Sequence, residues 1–264
     1  MTGKRILVTG AGSGFGREVA LRLAAKGHHV IAGVQIAPQV TELNAEAARR
    51  GASLDAVKLD VTSARDRAQA ARWDIDVLLN NAGAGEAGAL ADLPVDIVRE
   101  LFETNVFGPL ELTQQVARGM IARGRGRIVF VSSIAGLITG AYTGAYCASK
   151  HAVEAIAEAM HAELAAQGIQ IAVVNPGPYS TGFNDRMMET PRRWLDPARD
   201  AATPEKLTFP LEQFDPQEMI EKMVEVTESE GGLFRNLLPA AAEQFVRDEQ
   251  AHAWTRLQNE RRGA

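Results

Sequence analysis

Tyr146 and Lys150 stand four residues apart in the stretch Gly144-Ala-Tyr-Cys-Ala-Ser-Lys150, at the start of a helical pattern that runs to about residue 167. On a helix this spacing puts both side chains on one face, the ammonium one turn from the phenol. A free phenol, with a pKa of about 10, is a poor base near neutrality, and a neighbouring cation favours its ionised form. The pair is suited to taking and returning a proton at a substrate oxygen. Alone it is a weak sign, because a Tyr and a Lys four apart also occur on ordinary surface helices.

The elements that would position such a pair begin at the N-terminus. Arg5-Ile-Leu-Val-Thr9 is a short apolar run of strand type, followed by Gly10-Ala-Gly-Ser-Gly-Phe-Gly16 and then by a helical pattern over 17–25. Glycines at such a turn let the backbone bend sharply and let a pyrophosphate approach the free N–H groups at the positive end of a helix. A glycine cluster by itself is also a flexible loop, but its place between a first strand and a first helix points to a nucleotide site. Strand patterns follow at 29–34, 53–59, 77–80, 127–131, 170–175 and 233–238. Between and after them lie helical patterns at 38–50, 63–71, 94–123, 145–167, 216–227 and 240–261. This alternation predicts an α/β fold, a doubly wound parallel sheet of about seven strands with helices on both faces. Strands that are apolar throughout fit burial on both sides.

The 264 residues suit a single domain, 1–264, because no linker or break in composition divides them. A net charge of −5 offers no basic footprint for nucleic acid or an anionic membrane. There is no apolar run long enough for a membrane span, and the glycine turn starts too close to Met1 for a signal peptide, so a cytoplasmic protein is expected. The stretch from Arg256 to Arg262 reads as the solvated face of a last helix. The lone Cys147 excludes an internal disulfide and reads as a buried thiol, and the five histidines form no zinc-type cluster, so no metal is expected.

Taken together, these motifs resemble the short-chain dehydrogenase/reductase family. Thr9, Gly10, Gly14 and Gly16 match its glycine motif, Asn80-Asn81-Ala82-Gly83 its Asn-Asn-Ala-Gly element, and Asn105 in Glu103-Thr-Asn-Val-Phe107 its helix asparagine. Ser133, 13 positions before Tyr146, matches its serine in preference to Ser132, and Tyr146 with Lys150 its Tyr-x-x-x-Lys. Asn175-Pro-Gly-Pro-Tyr-Ser-Thr181 is similar to its Pro-Gly element with a downstream threonine. The resemblance runs from about residue 4 to 181 and fades beyond. It implies a Rossmann-type sheet with a small helical lid after the sixth strand, and an NAD(P)-dependent oxidoreductase that interconverts a secondary alcohol and a ketone. Asn105, Ser133, Tyr146 and Lys150 are the implied catalytic set. Tyr146 is the acid/base and Ser133 the hydrogen-bond partner of the substrate oxygen. Lys150 also holds the nicotinamide ribose, and Asn105 supports a water that connects Lys150 to solvent. Asn105 equally reads as a polar residue satisfying backbone at a helix kink.

For the cofactor, the resemblance implies that Thr9 braces the turn, that Gly10, Gly14, Phe15 and Gly16 surround the pyrophosphate, and that Asp60 and Val61 meet the adenine. Asn81, Ala82 and Gly83 pass beside the adenosine, Pro176 and Gly177 lie at the nicotinamide end, and Thr181 touches the carboxamide or caps a helix. At the end of the second strand, an acid would grip a ribose 2′-hydroxyl and an arginine would attract a 2′-phosphate. Val34 and Gln35 stand there and supply neither; Arg17 could be recruited, or is an outward-facing arginine of the first helical turn. NADP(H) is set slightly ahead of NAD(H).

The segment 179–214, with Phe183, Met187, Met188, Trp194, Leu195 and Phe209, lines an apolar substrate pocket or forms the core of the lid. Tyr142 would face substrate and Glu86 the pocket rim. The turn Ser13-Gly-Phe-Gly16 and the run Asn175-Pro-Gly-Pro178 are similar to the hydroxysteroid and retinol dehydrogenase branch. A moderately sized secondary alcohol or ketone of low polarity is expected. Ala152, Ala155, Ala159 and Ala162 suit close packing in a homodimer or homotetramer, or pack only on the sheet. The rival readings are a silent nucleotide-binding redox sensor, a halohydrin dehalogenase and a membrane-associated retinoid enzyme. The retained glycines, Ser133, Tyr146, Lys150 and Asn105, and the want of an apolar anchor, weigh against them.

Overall fold

In the computed structural model, which describes residues 3–200 and 207–259, the first apolar run forms β1 (Arg5–Val8) with Ile6, Leu7 and Val8 fully buried. It is followed by β2 (His29–Val34), β3 (Asp55–Lys58), β4 (Val77–Asn80), β5 (Gly126–Val131), β6 (Ile169–Pro176) and β7 (Arg235–Leu238). The described residues form one open parallel sheet in the order β3-β2-β1-β4-β5-β6-β7. The order reverses direction between β1 and β4, and in such sheets ligands bind at the carboxyl ends of the strands beside that reversal.

Successive residues of β1 feed opposite layers, as the period of two in a strand requires. Ile6 and Val8 pack with α1 (Gly14–Ala25), α2 (Ala37–Arg49) and α8 (Gln217–Glu228) through Val19, Leu23, Leu43 and Met219. Leu7 packs on the other face with α3 (Ala64–Ala70), α5 (Gly108–Arg123) and α6 (Gly144–Leu164) through Ala70, Leu112, Met120 and Val153. A third cluster joins Tyr146 to Leu93, Leu101 and Met187 above the strand ends.

The helix predicted over 94–123 is broken. α4 (Val95–Phe102) passes through one wide π turn (Glu103–Phe107) into α5. Such turns insert an extra residue and cluster at functional sites. Two contacts account for it: Gly108 lies against the Val61 carbonyl, where any side chain would collide, and Asn105 is drawn sideways to the main chain of Ala84. Smaller departures lie at element ends, where β3 is shorter than 53–59 and β7 shorter than 233–238. α9 (Ala241–His252) stops well before 261, and residues 260–262 of the expected last helix lie outside the described residues. After β6 the chain forms α7 (Phe183–Glu189) and a 3₁₀ turn (Thr190–Arg193) where the helical lid is expected, and residues 201–206 of the expected segment 179–214 lie outside the described residues. Among the described residues no helix is long and apolar enough to cross a membrane.

Candidate active site

The ends of β1, β4, β5 and β6 open onto one cleft of about 1300 Å³. Of the residues singled out by sequence, Gly10, Gly14, Phe15, Gln35, Asp60, Val61, Asn81, Ala82, Gly83, Ser133, Tyr142, Tyr146, Lys150, Pro176, Gly177, Thr181, Phe183 and Met187 line it. Thr9, Gly16, Val34 and Asn105 do not, and stand behind the wall.

Those four act through their neighbours. Thr9 Oγ1 accepts from the main-chain N–H groups of Asn81 and Ala82, each at 3.0 Å, tying the end of β4 to the end of β1. Asn81 Nδ2 donates to the carbonyls of Thr9 and Gly10, at 2.9 and 3.2 Å. Gly16 packs against both, and a Cβ there would lie 2.5 Å from the Gly10 oxygen, so its glycine serves closure of the turn and not open space. Val34 is fully buried in the core, which leaves Gln35 as the residue of that pair on the cleft wall. Asn105 Oδ1 accepts from Ala84 N–H at 2.8 Å, while its Nδ2 donates to Ala84 O at 2.9 Å and Ser149 Oγ at 3.0 Å. Ser149, not foreseen from sequence, passes the link to the Tyr146 carbonyl at 2.7 Å.

At the other end of α1 from its buried stem, the cleft wall fits a dinucleotide phosphate. Ser13 caps the helix without a side-chain bond, and Gly14 has φ of +55°, a backbone that side chains rarely adopt. A Cβ on Gly14 would meet only Thr181, at 3.6 Å, so space lies open over N–H groups that a helix start leaves unpaired. Asp60 Oδ1 is engaged by Thr62 N–H and hydroxyl, at 2.9 and 2.8 Å. Gln39 was not foreseen; its amide lies beside Gly12 and accepts from Ile36 N–H at 3.2 Å. Arg17, the cation that could have been recruited here, is paired with Glu46.

The pair Tyr146 and Lys150 sits deeper. Tyr146, 8 % exposed, tilts its ring against Phe183 with centroids 5.6 Å apart. Burial pushes the phenol well above its ordinary pKa, and the hydrogen bond with Ser133 pulls the other way. Lys150 lies 5.7 Å from the Tyr146 ring centre and donates to Val131 O at 2.9 Å. Burial pushes its ammonium down to about 8, with Glu154 acting in the opposite sense. Burial thus raises the phenol in the protein without nucleotide, where a neighbouring cation alone would lower it. Ser133 Oγ accepts from Ala135 N–H at 3.1 Å and reaches Pro176 O at 3.4 Å.

The lid divides the apolar residues between the two expected roles. Phe183, Met188 and Phe209 face the cleft and also pack in the third cluster, whereas Trp194 packs in that cluster away from the cleft. Leu195 lines a second hollow under the lid. Glu86 is not at the rim: 3 % exposed, it accepts from Arg193 Nη2 at 2.6 Å and Trp194 Nε1 at 3.2 Å, pinning the lid. Tyr142 has φ of +60° and accepts from Gly88 N–H at 2.7 Å. Thr181 Oγ1 takes a long 3.4 Å bond from Phe183 N–H, while Gly182 holds the N-cap position of α7. Phe245, Glu249 and His252 of α9 close the outer wall; nothing near them in the sequence signalled this.

A family model described as short chain dehydrogenase matches residues 4–192. The chain belongs to the short chain dehydrogenase family. As such it is an oxidoreductase, and its relatives span bacteria and vertebrates. It is 37% identical over 192 residues to the "uncharacterized oxidoreductase YbbO" of Escherichia coli, covering 71% of this chain and 70% of that protein. It is 34% identical over 192 residues to human retinol dehydrogenase 8, covering 70% and 62%. A putative NAD(P)-dependent gluconate 5-dehydrogenase from Beutenbergia cavernae, solved with bound NADP, superposes with a TM-score of 0.72 at 29% identity, over 86% of this chain and 90% of that one.

Proposed function

We propose that this short-chain dehydrogenase interconverts a secondary alcohol and a ketone with NAD(P), Tyr146 exchanging the hydroxyl proton. The observation that carries the reading is the meeting of the Tyr146 phenol, the Ser133 hydroxyl and the Lys150 ammonium in the same cleft that the open glycine turn lines. A bound nicotinamide supplies the hydride acceptor or donor. The turn at Gly10, Gly14 and Phe15 holds the pyrophosphate, with Gly16 and Thr9 keeping its shape. Asp60 and Val61 flank the adenine and Asn81 to Gly83 the adenosine, while Pro176, Gly177 and Thr181 bound the nicotinamide side.

Tyr146 protonated is the resting state that burial favours, which suits proton donation to a carbonyl oxygen as it gains charge. In the oxidising direction the phenol must lose its proton; Lys150 favours that state, and a bound oxidised nicotinamide would add positive charge in the same sense. Ser133 donates to the same substrate oxygen and steadies it. Asn105 holds Ala84 and, through Ser149, the first turn of α6, so it keeps the geometry of this wall.

Cofactor choice follows from the same wall. Gln35 and Gln39 at the ribose end are neutral and Arg17 is occupied by Glu46, so neither a 2′-hydroxyl nor a 2′-phosphate is repelled. NADP(H) is set slightly ahead of NAD(H), in keeping with the NADP bound in the Beutenbergia structure. The substrate is apolar and of moderate size, because Ile138, Tyr142, Phe183, Met188, Phe209 and Leu211 form its side of the cleft. Residues 1–264 work as one domain. Ala155, Ala159 and Ala162 are exposed on α6 and suit pairing of two copies. The test is a panel of apolar ketones and secondary alcohols, followed at 340 nm with each nucleotide. Turnover that survives Tyr146→Phe would show the acid/base assignment to be wrong.

A further inference from the structure

One turn beyond Lys150 on α6 stands Glu154, a carboxylate 7 % exposed that the chemistry above does not use. Its oxygens have separate partners. Oε1 accepts from Asn175 Nδ2 at 2.6 Å, and Oε2 from Arg235 Nη1 at 2.6 Å. Asn175, fully buried at the end of β6, also donates from Nδ2 to the Ser133 carbonyl at 3.1 Å, and Arg235 Nη1 reaches Asn175 Oδ1 at 3.4 Å. A buried carboxylate persists where it is paired and fully bonded, yet replacing such a pair by apolar side chains is often neutral for stability. Stability alone does not account for its place.

That place is the Tyr146–Lys150 stripe itself, since positions 146, 150 and 154 fall on one face of the helix. The groups facing Lys150 can be named element by element. Tyr146 faces it from α6, with Glu154 one turn on acting on it through its charge, the Val131 carbonyl from β5, and Gly83, with Asn105 Oδ1 beside it, from the loop after β4. Arg235 of β7 stands beyond Glu154, bonded to that carboxylate and to Asn175. Glu154 is thus the anion opposing the burial that drives the ammonium towards neutrality.

We infer that Glu154 is a positioning residue for the proposed reaction, its charge keeping Lys150 cationic beneath Tyr146 while its bond to Asn175 holds the Ser133 backbone in place. Arg235 moderates that charge. The inference rests on reading Tyr146 and Lys150 as the proton-handling pair.

Two substitutions break the same ion pair with opposite electrostatic results. Glu154→Gln removes the anion and leaves the Arg235 cation, so Lys150 gives up its proton at lower pH. Arg235→Gln leaves the anion unshared, so Lys150 keeps its proton to higher pH. The protein is labelled with ¹³Cε-lysine and titrated by NMR, the Lys150 signal being assigned by its loss in Lys150→Arg. Neither nucleotide nor substrate is needed. From a starting midpoint near 8, shifts of about half a pH unit or more are expected, downward for Glu154→Gln and upward for Arg235→Gln. Shifts of the same sign, or none, overturn the inference, because a merely structural pair responds alike to the loss of either member. If Glu154→Gln fails to fold, the other arm decides alone. The Arg235 side chain is 36 % exposed and glutamine keeps a donor there; a midpoint that rises supports the role, and one that stays or falls overturns it. Where turnover is found, the alkaline limb of ketone reduction should move with the NMR midpoint in each variant, and a limb that stays put also overturns the positioning role. Wild-type protein without turnover would count against the proposed reaction, while the NMR result would still decide the link between Glu154 and Lys150.

Discussion

Replacing Lys150 by methionine should make the protein more stable at neutral pH while removing its activity. The ammonium is 5 % exposed and held at about 8 instead of 10.5. Between those values the unfolded chain carries the proton and the folded one does not, so stability rises with pH across that window. The penalty for burying the charge is complete below pH 8, fades above it, and is gone beyond 10.5. At about 1.4 kcal/mol for each pH unit separating the two values, its full size is about 3 kcal/mol. Against this, Lys150→Met loses the 2.9 Å bond to the Val131 carbonyl and leaves that acceptor short of a partner, at about 1–2 kcal/mol. At pH 7 the variant should therefore gain about 1–2 kcal/mol, or roughly 2–7 °C in Tm for a chain of this size. Near pH 10.5 only the lost bond remains, and the variant should be the less stable protein by about 1–2 kcal/mol. Urea unfolding of both proteins at steps from pH 7 to 10.5 gives two stability curves that cross near pH 9. A constant difference across that range, or a variant already weaker at pH 7, would refute the reasoning that burial dominates at Lys150.

The glycine turn offers a contrast. Gly16→Ala would set a Cβ 2.5 Å from the Gly10 oxygen and against the Asn81 amide, and should lower stability by about 1–3 kcal/mol in thermal melts without nucleotide. Gly14→Ala meets only Thr181, at 3.6 Å, so it should cost the smaller strain of φ +55°, about 1–2 kcal/mol, and show its main effect as weaker NADPH binding by fluorescence titration. Tyr146→Phe should cut turnover by about a hundredfold or more with nucleotide affinity little changed, as stopped assays and the same titration would read. Glu86→Gln weakens the pin on Arg193 and Trp194, so substrate KM should rise more than kcat falls, and tryptophan emission should shift to the red as the indole is wetted.

Local chemistry made the first part of the fold legible. An apolar run, a glycine turn and a periodic helix over residues 5–25 imply a strand–turn–helix wherever they occur, and continuous apolar strands separated by helices imply a parallel sheet. Only Asn105, readable as a polar residue at a helix kink, hinted at the π turn, because the apolar pattern runs unbroken through 94–123. Its cause is distant, in the approach of Gly108 to Val61 and of Asn105 to Ala84. Glu86 follows soon after Gly83, which suggests a pocket rim, but its partners Arg193 and Trp194 come from a lid more than a hundred residues away. The same distance hides the Phe245, Glu249 and His252 wall, and the Arg235–Glu154–Asn175 chain that ties β7 to the back of Ser133. Sequence spacing shows the cation beside Tyr146, but not how completely the phenol is buried, and in the protein without nucleotide that burial raises it.

Transfer of label from the cofactor to the product tests the proposed reaction most directly. The protein is incubated with NADPH or NADH carrying deuterium at both hydrogens of the nicotinamide C4 and with apolar ketones from the panel, and the alcohols are examined by mass spectrometry. Deuterium on the carbinol carbon with wild-type protein, and its near absence with Tyr146→Phe, is the expected result. Binding of neither nucleotide, or ketone reduction without label at that carbon, would contradict hydride transfer at this site.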